Sequence, residues 1–137
     1  MKHILCCFDG SEHADVALAS ATDLATRLSA DLSILVVNVA FGRSPRGPQA
    51  LIWTEDEAQA IVAEGCEKAT KNGLKPANAA VVAAREVSTG IIDYALAHGI
   101  DAIVIGTGDK RGLSRLFLGS VAMDVANRAP CSVIIAR

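Results

Sequence analysis

No stretch of this chain is basic enough to hold a nucleic-acid backbone, and none is apolar for long enough to cross a bilayer. Its 13 lysines and arginines stand against 15 aspartates and glutamates, dispersed along the chain. The opening apolar segment, His3 to Phe8, is too short for a secretory leader, which predicts a cytoplasmic protein. Cysteine is present without a metal or redox pattern. Cys6, Cys7, Cys66 and Cys131 form no C-x-x-C and no ligand spacing, so they read as small hydrophobes in a reducing compartment. No metal site is expected. Aromatic residues make up only 4% of the chain, and its apolar half is mostly Ala, Val, Ile and Leu. That composition suits a parallel sheet covered by helices. Neither internal repeats nor low-complexity tracts occur. Catalytic signatures are missing too: no Ser/His/Asp or Cys/His order sits in a nucleophile-elbow context. No catalytic residue is assigned and the chain is not expected to be an enzyme, although slow hydrolysis of a bound nucleotide stays open.

What is present is a regular alternation of strand and helix over one domain, residues 1–137. His3 to Phe8 reads as the first strand. Asp9-Gly10-Ser11 makes a turn, with Ser11 as N-cap and Glu12 and Asp15 in the first helical turn. Leu18, Ala21, Leu24, Ala25 and Leu28 share one helical face. Leu32 to Val39 is a second strand, and Ala40 to Pro48 an exposed loop. Thr54 and Glu57 form a capping box for a helix that Gly73 ends. A third strand follows at Ala79 to Ala84. A helix capped by Ser88 comes next, then a fourth strand at Ala102 to Ile105. A last helix runs from about Gly119 to Arg128, and Ser132 to Ala136 is the fifth strand. This order predicts an α/β, doubly wound, five-stranded parallel sheet, with helices on both faces and strand order 3-2-1-4-5.

Ligands of such sheets bind beyond the carboxyl ends of the strands, where strand order reverses. Here that point lies between the first and fourth strands, so the Asp9 turn and the Gly106 loop should face one another. The Gly106 loop is the most distinctive segment. Ile103-Val104-Ile105-Gly106-Thr107-Gly108-Asp109-Lys110-Arg111-Gly112 ends a buried strand in glycines and basic residues, and Gly119-Ser120 then opens a helix. Glycines before a helix start bring backbone N–H groups to an anion, and the helix adds partial positive charge. The segment reads as a phosphate holder. Ser120 is there to bond phosphate or to cap the helix, not to attack.

The chain resembles the universal stress protein family, single-domain type. The residues that carry the likeness are Ile4-Leu5 through Asp9-Gly10-Ser11, Asp101 through Gly106, Leu118-Gly119-Ser120-Val121, and Ala129-Pro130-Cys131-Ser132-Val133. The resemblance implies the fold just described. It also implies an ATP-binding regulatory module, with magnesium as a companion of the nucleotide. Nucleotide-binding members carry G-x-x-G, nine residues, then G-[ST]. Gly106 and Gly119-Ser120 match. Asp109 stands where the second glycine belongs, with Gly108 one position earlier. A carboxylate there opposes a phosphate. Two unit charges about 4 Å apart repel by roughly 1 to 4 kcal/mol at effective dielectrics of 80 to 20. Lys110, Arg111 and Arg115 offset it, or Asp109 turns outward, or it shares a magnesium ion; the residues leave these open.

By the same resemblance, Asp9 meets the nucleoside, and its own reading is equally a turn residue. Val37 lies where the second-strand backbone contacts the adenine, and is also plain core. Cys7, Gly106, Gly108, Gly119, Ser120 and Val121 complete the implied adenine-nucleotide site. Phe8 either narrows the base pocket or fills the core. The alternative function is a dimeric interaction protein that binds no nucleotide, its phosphate site degenerate at Asp109. The apolar last strand, Ser132 to Ala136, has an open edge that predicts a homodimer.

Overall fold

The computed structural model describes residues 1–43, 45–46, 50–108 and 118–137. Strands β1 (His3–Cys7), β2 (Asp31–Phe41), β3 (Ala50–Leu51), β4 (Asn78–Ala84), β5 (Ala102–Gly106) and β6 (Ser132–Ala136) alternate with helices α1 (Glu12–Leu28), α2 (Glu55–Lys71), α3 (Val87–Ala97) and α4 (Ser120–Arg128). The parallel sheet runs β4-β2-β1-β5-β6, which is the expected order. One strand was not expected. β3, two residues long, pairs antiparallel with Ala40 and Phe41 of β2. Ala40 and Phe41 therefore belong to a strand and not to an exposed loop.

Alternation in the strands divides the core. Ile4, Cys6, Phe8, Leu32, Ile34, Val36, Ala102 and Val104 pack toward the first cluster with α1 and α2. Leu5, Leu35, Val37, Ile103 and Ile105 pack toward the second with α3 and α4. Both faces are covered, as continuous β-branched runs require. Each buried Ile or Leu side chain contributes about 1.5–3 kcal/mol of transfer free energy. Phe8 is resolved by this division: it lies in the α1/α2 core, buried, with Lys68 Nζ 5.8 Å from its ring centroid.

Capping follows the sequence at α1 and α2. Ser11 Oγ accepts from Ala14 N, and the Thr54–Glu57 box closes in both directions. Two expectations fail. Leu28 is exposed, because the buried stripe of α1 is set by Ala14, Ala17, Leu18, Ala21, Thr22 and Ala25 and does not include it. Ser88 is not an N-cap; Glu86 holds that position and Ser88 is buried inside α3.

Candidate functional site

The site forms where β1 and β5, side by side and parallel, send their chains to opposite faces of the sheet. Beyond β1, the carboxylate of Asp9 accepts from Ser11 N at 3.0 Å, a local turn that leads into α1. Beyond β5 come Gly106, Thr107 and Gly108. The two segments do meet. A Cβ on Gly106 would run into the backbone carbonyl of His13, so glycine lets the first turn of α1 rest on the end of β5. His13 Nδ1 also lies 3.3 Å from Thr107 Oγ1. Thr107 then reaches α4, its carbonyl accepting from Gly119 N at 2.6 Å. Gly108 has φ +65°, a left-handed conformation that favours glycine. Thr107 thus joins the start of α1 to the start of α4.

Gly119 is the N-cap of α4, and no side chain caps that helix. Ser120 and Val121 are its first two residues. Their N–H groups, with that of Ala122, have no partner within the helix. The N-terminal end carries partial positive charge. Residues 109–117 lie outside the described residues, and with them Asp109, Lys110, Arg111 and Arg115.

Val37 lies across the sheet. β2 continues past the end of β1, and its peptide groups alternate between its two edges. On the β1 edge, Leu35 O accepts from Phe8 N at 2.9 Å, and two residues on Val39 O accepts from Ile52 N at 2.9 Å. The N–H and C=O of Val37 point the same way, into the break between the end of β1 and the start of the β3 segment. Among the described residues they have no backbone partner on that edge. Asn38, buried, holds the far side of the break: its amide donates to Trp53 O at 2.9 Å and accepts from Trp53 N at 3.0 Å. The Val37 side chain faces the α3/α4 core.

Cys7 ends β1 on the same core face. Burial pushes its thiol well above the ordinary value, and Cys6 and Asp9 push it further. Burial also takes Cys6 to about 12. Both stay protonated and serve as packing groups, as do Cys66 and Cys131, which burial shifts the same way. Among the described residues no group of three or more His, Cys, Asp or Glu side chains is placed to hold a metal ion. No helix among them is long and apolar enough to cross a membrane.

The structure thus brings Gly106, Gly108, Gly119, Ser120 and Val121 together, leaves Asp9 in its own turn, and sets Val37 at a separate opening. Sequence reasoning missed Thr107, His13 and Asn38. The Asn within the apolar run from Ile34 to Phe41 was the available signal, since a buried amide must find partners.

A mostly parallel sheet with helices on both faces, and a glycine loop and a helix start at its switch point, defines the doubly wound α/β class. Within that class, the family model described as "Universal stress protein family" matches residues 1–137, and the chain belongs to that family. It is 27% identical over 146 residues to the universal stress protein YxiE of Bacillus subtilis (strain 168), covering 98% of this chain and 97% of that protein. It is 31% identical over 141 residues to a universal stress protein of Thermus aquaticus, covering 99% and 98%. Among solved structures, a universal stress protein in complex with cAMP superposes with TM-score 0.77 at 23% identity, covering 99% of this chain and 97% of that one. The Archaeoglobus fulgidus universal stress protein in complex with dAMP gives 0.73 at 22%, covering 100% and 98%.

Proposed function

We propose that this universal stress protein is an ATP-binding regulatory module of the cytoplasm, and not an enzyme. The base enters the break at Val37. The phosphates lie against the first turn of α4, behind Gly106, Thr107 and Gly108. The observation that carries this reading is the Val37 N–H and C=O pair, which among the described residues has no backbone partner on the β1 edge between Phe8 and Ile52. Adjacent donor and acceptor groups at an open strand edge match the donor and acceptor edge of a purine. Relatives of the same fold bind adenine nucleotides, cAMP in one and dAMP in another. Asp9 faces the ribose, and Cys7 and Val121 back the site as apolar packing. Magnesium would accompany the phosphates as their counter-ion.

Calorimetry on the purified chain tests this. Heat of binding and a rise in melting temperature with millimolar ATP are expected; their joint absence overturns the reading. The second reading is a dimeric interaction protein that binds no nucleotide. Asp109 in place of the motif glycine favours it. It predicts no nucleotide in the purified protein by mass spectrometry after denaturation.

A further inference from the structure

Ser88 and Asp124 connect the two halves of the site. Ser88 is buried in the first turn of α3, and its hydroxyl donates to Asp124 Oδ2. Asp124 lies in the second turn of α4 and also accepts from Arg128 Nη1 at 2.7 Å. The two bonds hold its carboxyl below the ordinary value, the Ser88 bond more than the Arg128 bond. α4 packs more against α3 than against β6, so α3 is its main support.

Two residues beyond Ser88, α3 meets β2. A Cβ at Gly90 would stand 2.9 Å from Val37 Cγ1 and 3.1 Å from Ala84 Cβ. Glycine therefore brings the helix backbone down onto the Val37 side chain. One stretch of α3 registers on Val37 through Gly90 and on α4 through Ser88. A hydroxyl inside a helix lowers helix propensity. Here it neither caps the helix nor bonds back to its own backbone; its partner is on the next helix. Alanine would fit the same position short only of the hydroxyl oxygen, so what the hydroxyl adds in contact is the bond to Asp124. That bond goes to a charged acceptor, which makes it stronger than a neutral one.

We propose that Ser88 and Asp124 are a positioning pair. They fix the N-terminal turn of α4, Gly119 to Val121, relative to Val37, and so set how tightly the site holds a nucleotide's phosphates as against its nucleoside. The inference rests on the nucleotide reading above. Base and ribose contacts come from the β2 backbone at Val37 and from the Asp9 turn, not from the start of α4. Phosphate contacts do, because N–H donors displaced from their acceptors lose hydrogen-bond strength steeply.

The test uses the full chain with Ser88→Ala, Asp124→Asn and Asp124→Ala. ATP affinity is measured by calorimetry, adenosine affinity by ligand-observed NMR, and folding by thermal melts. Ser88→Ala is expected to weaken ATP about five- to tenfold, less than the full worth of one bond to a charged group because only part of that bond's loss reaches the start of α4. Adenosine should stay within about twofold, the scatter of uncoupled substitutions. Asp124→Asn and Asp124→Ala change the charge equally, but only the amide keeps an acceptor for Ser88. The alanine variant should therefore bind ATP about five- to tenfold more weakly than the asparagine variant. This comparison at a half-exposed position carries the test if Ser88→Ala does not fold. Equal losses for ATP and adenosine, or no difference between the two Asp124 variants, overturn the proposal. A wild-type chain that binds neither ligand overturns the nucleotide reading and this one with it. Wild-type binding with an unchanged ATP-to-adenosine ratio in the variants overturns this one alone.

Discussion

The N–H of Gly119 donates to the carbonyl of Thr107 at 2.6 Å, and a Cβ at position 119 would stand 2.5 Å from that same oxygen. It would also stand 3.0 Å from the carbonyl of Gly108. Both neighbours are backbone and neither can rotate away. The glycine that sequence alone assigns to phosphate approach is thus first a packing requirement of the loop against α4.

Gly119→Ala is expected to destabilise the fold by about 1–3 kcal/mol, the usual cost of overpacking. Gly119→Val should cost more and should also abolish ATP binding. Thermal melts in the order wild type, Ala, Val, with calorimetry on whichever variants stay folded, check both parts. Equal melting temperatures for all three would show that the loop accommodates a side chain.

Asp109→Gly should tighten ATP binding, because it removes a negative side chain from the motif that leads to the phosphates. At an effective dielectric near 20 and a separation of about 4 Å the gain is about 4 kcal/mol at most, and at the dielectric of water about 1. Titrations with and without magnesium separate the two roles of the carboxylate. A gain in both conditions marks simple repulsion. A loss confined to the magnesium titration marks a shared ion. No change in either means that Asp109 faces away from the ligand.

Acid stability should depend on Asp101. Its Oδ2 accepts from Lys2 N at 2.7 Å and His3 N at 2.9 Å, pinning the start of β1 to the turn before β5. These two bonds, Lys2 first, hold the carboxyl below its ordinary value of 3.8. A carboxyl lowered on folding stabilises the protein above its unfolded value, and that stabilisation is lost as pH falls through the folded value. Asp101→Ala should therefore lower the melting temperature at neutral pH. The difference from wild type should shrink as pH falls from 3.8 downward. A gap that stays constant across that window would mean the role of Asp101 is independent of its charge.

The caps at Ser11 and Thr54 and the limits of β6 were legible because each rests on local chemistry: a hydroxyl before a helix, a β-branched run, a proline after a helix; the strand order came instead from the alternation of elements and from the family resemblance. β3 was not legible. Ala50 and Leu51 carry no strand pattern of their own, and the overhang of β2 beyond β1 supplies their partner. Ser88 looked like a cap because serine before an apolar helical run usually is one; the partner that holds it inside the helix, Asp124, lies in another helix. Val37 could be named as a site only through the family resemblance. What sets it apart is that its neighbouring strand ends at Cys7 while β2 continues, and no periodicity in β2 reports the length of β1. Gly106 and Gly119 were found by motif, but their closest neighbours, the backbones of His13 and Thr107, are visible only once α1 and α4 are in place.

β6 pairs with β5 along one edge, and among the described residues no strand pairs with its other edge. Val133, Ile134 and Ile135 are only half-buried there. An apolar edge without lysine or proline leaves backbone groups open and invites a second strand. A second copy of the same chain, related by a two-fold axis, would close the edge without further growth. The expected state is a homodimer through Ser132 to Ala136. Sedimentation at tens of micromolar should show it, and a monomer at that concentration counts against the pairing. Ile134→Pro removes a backbone donor in the middle of the strand and should give monomer or aggregate. If the proline variant sediments as a dimer with the wild-type mass, the contact lies elsewhere on the molecule.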